Sequence, residues 1–400
     1  MAEPMGRRFW TVWVSSSASY LAEGLIFGAL PVLAASLTLD ARLIAVTDAL
    51  HQTGWLLLGL VSGVAADVLP RLRIMWVANA VRAVTAGTFA ALVAGGHASL
   101  PLVYALGFLL GLAAPFFDNA SASILPELVP ASQFQRANSL TQVALAVAGN
   151  LVGPVVGTAL FVLWPGVPFA LAGLAYAGGT AITVWLARRD PKPVPVEGRA
   201  APLKLLAEGL HYLAKHRVLR TLAGAVAIVN LVTSGAVAVA VLYVLYELHL
   251  PRSTYGLVMA SFALGAIGGG LLTVRLTRWL GERTAVLVAL VAFGVSMVVL
   301  GAVRQVVVSV SAMVLMGFFS MVWNITVNSY RQRVVPLPLL GRVTSVFRMV
   351  AFITMPLGAL LAGLGTHAIG LPWTYIMGGL LLFATAAAAV RPLREMPNRP

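Results

Sequence analysis

Apolar residues along this chain gather into twelve long runs, six on either side of a basic, proline-rich stretch. The first six cover about 10–37, 45–65, 74–94, 100–121, 138–162 and 168–187. The second six cover about 221–246, 254–274, 284–303, 306–326, 343–366 and 372–390. A helix needs about 20 apolar residues to cross the hydrocarbon core of a bilayer. The runs are continuous rather than alternating, and a helix satisfies its own backbone polar groups in lipid, so the pattern predicts helices and not a barrel. The expected fold is an all-α membrane protein with 12 transmembrane helices in two pseudo-symmetric six-helix bundles. Residues 1–189 would form the first bundle, 190–220 a linker, and 221–400 the second bundle. The first run is too long for the core of a cleaved signal peptide, and none is expected.

Composition agrees with this reading. Hydrophobic residues make up 60% of the chain and charged ones 10%, and the mean hydropathy is +0.91. A net charge of +14 would suggest a nucleic-acid partner in a soluble protein. Here 22 of the 27 Lys and Arg lie with the termini and the even-numbered loops. Arg42, Arg252 and Arg304 lie opposite, Arg82 falls inside the third run and Arg348 near the start of the eleventh. By the positive-inside rule both termini should be cytoplasmic, with the basic rim facing anionic headgroups of a bacterial cytoplasmic membrane. The absence of cysteine excludes disulfides, thiolate metal sites and cysteine nucleophiles. No His pair has ligand spacing and no phosphate-binding G-x-x-x-x-G-K-[ST] loop occurs, so neither a metal, a cofactor nor an ATP-driven motor of that kind is expected.

Asp190-Pro-Lys-Pro-Val-Pro, continuing to Pro202, reads as an extended polar linker. Beyond it Leu203, Leu206, Leu210 and Leu213 recur at helical spacing beside Lys204, Lys215, Arg217 and Arg220, predicting an amphipathic helix on the membrane surface. The halves echo one another. Leu125-Pro-Glu-Leu-Val-Pro130 is followed six residues later by Arg136, and Val334-Val335-Pro336 six residues later by Arg342. Weak symmetry between six-span halves is common among secondary transporters.

After the second run comes Gly63-Val-Ala-Ala-Asp67-Val-Leu-Pro-Arg71-Leu-Arg73. It resembles the G-x-L-A-D-R-x-G-R-K/R-K/R signature of the major facilitator superfamily, matching at Gly63, Ala66, Asp67, Arg71 and Arg73. Val68 and Pro70 replace the usual Arg and Gly, and the second-half loop near Arg278, Gly281 and Arg283 keeps a remnant without Asp. The resemblance implies a latch: Asp67 against a neighbouring helix N-terminus around Gly341–Val343, and Arg71 against Asp118. A solvated loop with weak ion pairs is the plainer reading.

The fifth run holds Gly149, Gly153, Pro154 and Gly157, and resembles the core of the G-x-x-x-G-P-x-x-G-G pattern of exporters in that superfamily, with Thr158 in place of the final Gly. Three glycines at spacing four permit close backbone contact, and Pro154 invites a bend. Ser261, Gly265, Gly269 and Thr273 form a matching stripe in the eighth run. Gly59 and Gly63 could likewise meet Thr354, Gly358 and Ala362. Either these pairs are smooth seams between the halves, 5 against 8 and 2 against 11, or they are ordinary tight packing.

Glu23 lies well inside the first run, where an acid is costly and marks a function by default. It could take up a proton, a cationic substrate, or each in turn; a structural ion pair with Arg82 is the alternative. Arg82 must itself pair or snorkel. Asp48 and His51 share a helix face near the external end of the second run, as a proton entry point or as plain surface residues. Trp55, Asn150, Asn230, Tyr243, Trp323 and Asn324 are candidates for a polar-aromatic cavity, with Asn328 and Tyr246 beside them; Trp and Tyr also suit interfacial belts.

Leu125–Pro130, Glu208-Gly-Leu-His-Tyr-Leu213, Tyr255-Gly256-Leu257 and Gly341-Arg342-Val343 are similar to the macrolide-efflux and enterobactin-exporter-like branch of the superfamily. That implies a monomeric, proton-coupled exporter of a drug-like or secreted small molecule, and not an enzyme. A dedicated metabolite or siderophore exporter and a proton-coupled importer remain alternatives on the same fold.

Overall fold

The computed structural model describes residues 5–189 and 202–396, and among these the chain is helical with no strand. Twelve of the described helices are long and apolar enough to cross a membrane. We number them span 1 (Arg7–Leu37), 2 (Ala41–Val68), 3 (Arg71–Ala94), 4 (Leu100–Ser123), 5 (Arg136–Leu163) and 6 (Val167–Ala187). Then follow span 7 (Arg217–Glu247), 8 (Arg252–Leu280), 9 (Glu282–Ala302), 10 (Val306–Val334), 11 (Leu339–Ile369) and 12 (Leu371–Val390). Several helices outrun their apolar stretches. Span 10 continues past residue 326 to Val334, and span 8 past residue 274 to Leu280. Each added residue closes one more backbone hydrogen bond on an existing helix, so the polar ends stay helical beyond the lipid-facing run.

Backbone contacts divide the chain into two compact units. The first comprises described residues 5–39, 50–189 and 251–260; the second comprises 40–49, 202–250 and 261–396. The first ten residues from Asp40 thus group with the second unit, and Pro251–Ala260 with the first.

In the first unit span 1 lies against spans 5 and 6, and span 3 against spans 4 and 6. Span 1 can sit centrally because its inward positions are small: Ala22, Gly24, Gly28, Ala29 and Ala34 are all buried. Where the sequence pattern allows a seam from span 5 to span 8, the glycines of span 5 instead seat span 1. A Cβ on Gly153 would lie 2.6 Å from Gly24 Cα, one on Gly157 would strike the Leu25 carbonyl, and one on Gly28 would strike Pro154. The start of span 8 also meets span 5, Gly256 again at Pro154. Ahead of Pro154, residues Leu145–Val152 form a π-helical segment. Proline has no N–H to donate and its ring crowds the carbonyl one turn back, and a widened turn relieves both.

In the second unit span 7 lies against span 11, and span 9 against spans 10 and 12. Gly265 and Gly269 of span 8 abut the backbone of Val314 and Phe318 in span 10. Gly358 abuts Leu231 of span 7. Span 11 also meets the start of span 2: a Cβ on Gly363 would lie 2.6 Å from Ala45 Cβ, and Ala45, Ala49, Ala238 and Ala359 form one buried cluster. The short residues serve the closest available backbone, which in lipid is the main source of helix association.

The helix Pro202–Lys215 realises the amphipathic segment; residues 190–201 of the expected linker lie outside the described residues. It does not rest on its apolar face alone. Glu208 pairs with Arg342 at the start of span 11, a Cβ on Gly209 would lie 2.6 Å from the Arg342 carbonyl, and Leu213 is buried. His216 caps span 7 by accepting the Leu219 N–H at Nδ1, 3.3 Å.

Candidate functional site

The first unit holds a charged cluster within its spans. Glu23 is 16 residues into span 1, roughly 24 Å along it at 1.5 Å per residue. Arg82, in the third span, is 1% exposed and among the largest fully buried side chains. Its Nη1 stands 3.9 Å from Glu23 Oε2. The guanidinium carbon lies 5.4 Å from the ring centres of both Phe117 and Tyr176. Tyr176, Glu23, Asp118 and Tyr20 all lie within its electrostatic reach. A cation so placed needs counter-charge and π-faces because it has lost its water.

The hydrogen bonding is incomplete. Arg82 Nε and Nη1 are buried without a hydrogen-bond partner, and so is Asn79 Oδ1. Asn79 Nδ2 donates to Ser19 Oγ (2.9 Å), which donates to the Ser15 carbonyl (3.0 Å); Ser15 Oγ donates to the Gly179 carbonyl (3.0 Å). This serine face fixes the wall around Arg82 while leaving the arginine's donors open. Glu23, by contrast, keeps 36% of its side chain exposed against 2% for Arg82. The acid is therefore partly open to its surroundings, and the arginine is enclosed.

The gating-motif residues sit at the ends of spans 2 and 3. Arg71 pairs with Glu127 on the short helix after span 4 and its Nε donates to the Ala66 carbonyl at 3.1 Å. Asp118 lies one side of the motif, within electrostatic reach of Arg82 and Tyr20. Asp67 ends span 2, one residue before Val68, and Arg73 occupies the first turn of span 3. The second unit has a counterpart with the charges exchanged: Glu282, which opens span 9, pairs with Arg333 near the end of span 10. An acid beside Gly281 carries no motif signature, so sequence reading passes over it.

Asp48 and His51, one turn apart, are held by different units. In the second unit Ser234 Oγ donates to Asp48 Oδ2 (3.3 Å) and to the Met355 carbonyl (2.7 Å). In the first, the His51 backbone abuts Gly111 of span 4. Glu247, 15% exposed, pairs with Arg304 Nε at 2.8 Å.

The cavity candidates differ in exposure. Asn150 and Asn324 are exposed, Trp55 and Asn230 half-buried and Trp323 buried. Asn230 Nδ2 donates to its own helix at Val226. Tyr243 is buried against Tyr375, its hydroxyl sharing a 2.7 Å hydrogen bond with Ser309 Oγ. Residues that the sequence reading did not select surround Arg82: Tyr20, Phe117, Tyr176, Asn79 and Ser19. Their one advance signal is the Ser15, Ser16, Ser19 grouping inside an apolar run. A separate apolar cavity of about 350 Å³ lies in the second unit, lined by Gly235, Val239, Leu361, Tyr375 and Met377 among others. Among the described residues no three His, Asp or Glu side chains converge as a metal site would require.

Twelve spanning helices with buried charge inside them define a multi-pass membrane transporter. The sequence profile of the Major Facilitator Superfamily matches residues 12–353 and 222–400, and the chain belongs to that family. It is 28% identical to the multidrug efflux pump Tap of Mycolicibacterium fortuitum, over 90% of this chain and 88% of that one. It is 26% identical to the enterobactin exporter EntS of Citrobacter koseri, over 89% and 85%. Among solved structures, a point variant of the nucleoside transporter NupG superposes with a TM-score of 0.81 at 11% identity, covering 96% of this chain and 99% of that one. An auto-inhibited peptide transporter of the POT family gives 0.74 at 15%, covering 99% of each. These two likenesses concern the fold alone.

Proposed function

We propose that this chain exports a drug-like or secreted small molecule across a bacterial cytoplasmic membrane, exchanging it for protons by alternating access. Glu23 carries the proton, Arg82 is its counter-charge, Asp118 is a second acid within reach of that arginine, and the Gly63–Arg73 loop gates. The observation that carries this reading is the loose ion pair: Glu23 stands 3.9 Å from Arg82 and stays partly exposed, while Arg82 keeps unmet donors. Asp118 and the two aromatic faces also act on the arginine, so its charge is not balanced by Glu23 alone. The export direction is supported by the efflux pump and siderophore exporter to which about nine-tenths of the chain is similar.

One proton entering across 100 mV supplies about 2.3 kcal/mol, enough at one-to-one exchange for a gradient of roughly fiftyfold before any pH difference is added. Both termini face the cytoplasm, the two six-span halves are joined by residues 190–220, and one chain suffices as the working unit. A susceptibility panel in an efflux-deficient bacterium tests the proposal. The native chain should protect against at least one compound class, and well-expressed Glu23→Gln should not. Protection against nothing, with the protein present in the membrane, would turn the reading towards a dedicated metabolite exporter or an importer.

A further inference from the structure

The second unit contains its own buried cation, and among the described residues no acid is seen to act on this one. Arg331, in span 10, is 9% exposed, and its Nε is buried without a hydrogen-bond partner. The one charged group among the described residues whose field reaches it is Arg348 of span 11, a second cation. Its guanidinium lies 4.8 Å over the Phe347 ring, and Nη2 donates to Asn328 Oδ1 at 2.6 Å. Asn328 Nδ2 donates onward to Asn324 Oδ1, also 2.6 Å. Each hydrogen bond in this ladder uses up an acceptor, which leaves donors at both ends: the arginine Nε and the Asn324 amide.

Asn324 and Arg348 are exposed although they lie well inside their helices. Asn324 is 10 residues from the end of span 10 and Arg348 is 9 from the start of span 11, or about 15 and 13 Å along. Arg331 and Asn328 lie in the part of span 10 that outruns its apolar stretch, and the exposed Asn324 and Arg348 leave this face open to a polar partner. Two like charges that repel, a row of surplus N–H donors and an aromatic floor form an arrangement completed by a negatively charged acceptor.

We propose that Arg331, Arg348, Asn328 and Asn324 form a binding site for an oxyanion, and that the small molecule this protein handles carries a carboxylate or phosphate group. The phosphate of an anionic lipid shares this chemistry and is the other source. Naming the substrate class rests on the transport reading above; the existence of the site does not.

The test is binding of salicylate and of inorganic phosphate to the purified full chain in phosphatidylcholine nanodiscs. At least one probe should bind the native protein, with Kd raised tenfold or more in Arg331→Gln and in Arg348→Gln and unchanged in Ser329→Ala. Arg348→Gln alters an exposed side chain and keeps the test valid if Arg331→Gln fails to fold. A melting temperature raised by phosphatidylglycerol in the native chain but not in Arg348→Gln, without binding of either soluble probe, would assign the site to a lipid headgroup. No binding and no lipid effect, or equal binding in both variants, would overturn the site. Anion binding lost in the variants of a protein that exports nothing would leave the site standing and remove the transport reading instead.

Discussion

Glu23 Oε2 stands 3.9 Å from Arg82 Nη1, inside the range of an ion pair and outside that of a hydrogen bond. The two side chains share a charge balance while their solvent contact differs, 36% against 2%. A fully formed buried salt bridge would resist a proton. This one leaves the acid accessible and gives the arginine other support in Phe117, Tyr176 and Asp118.

Removing the arginine should therefore be far worse than neutralising the acid. Arg82→Met removes the enclosed cation whose charge Glu23 and Asp118 both face, whereas Glu23→Gln alters a partly exposed side chain. Thermal unfolding in detergent is expected to show a much lower midpoint for Arg82→Met than for Glu23→Gln. A second prediction is partial recovery when Glu23→Gln is added to Arg82→Met.

The glycines separate into two classes that a stability series can sort. Gly28→Ala and Gly157→Ala would drive a methyl into the backbones of Pro154 and Leu25, which cannot move aside as a flexible side chain would. Each is expected to cost about 1–3 kcal/mol, as overpacking does. Gly63→Ala meets nothing within 4 Å and should leave the melting temperature near native. If it nonetheless lowers transport, the gating role of that loop is separated from packing.

The helix Pro202–Lys215 should be released from span 11 by Gly209→Val, because the added atoms collide with the Arg342 backbone. Glu208→Gln alone should have little effect, since a partly exposed ion pair contributes about 0–1 kcal/mol. Trypsin cleavage after Lys215 and Arg217 is the readout, faster in Gly209→Val and near native in Glu208→Gln.

Much of this molecule was legible in its sequence, for reasons that also mark where legibility stopped. The twelve runs give the spans because lipid penalises every interruption, and Glu23 and Arg82 stand out on that background. Partners are another matter. The glycines of span 5 fit any smooth helix, and it is Gly24 and Gly28 of span 1 that meet them. Arg71 could pair with whichever acid the chain turned towards it, and the turn at Leu125–Leu128 brings Glu127. Arg331 looks like one more basic residue at a membrane rim until the structure is seen to bury it, its guanidinium over Phe347.

The central claim is that Glu23 carries the coupling proton, and transport in proteoliposomes tests it most directly. The substrate would be the compound against which the native chain protects best, moved either down an imposed pH gradient or by exchange at equal pH. The account predicts that Glu23→Gln abolishes pH-driven accumulation while substrate-for-substrate exchange persists. Accumulation at the native rate and with the native pH response in Glu23→Gln would contradict it.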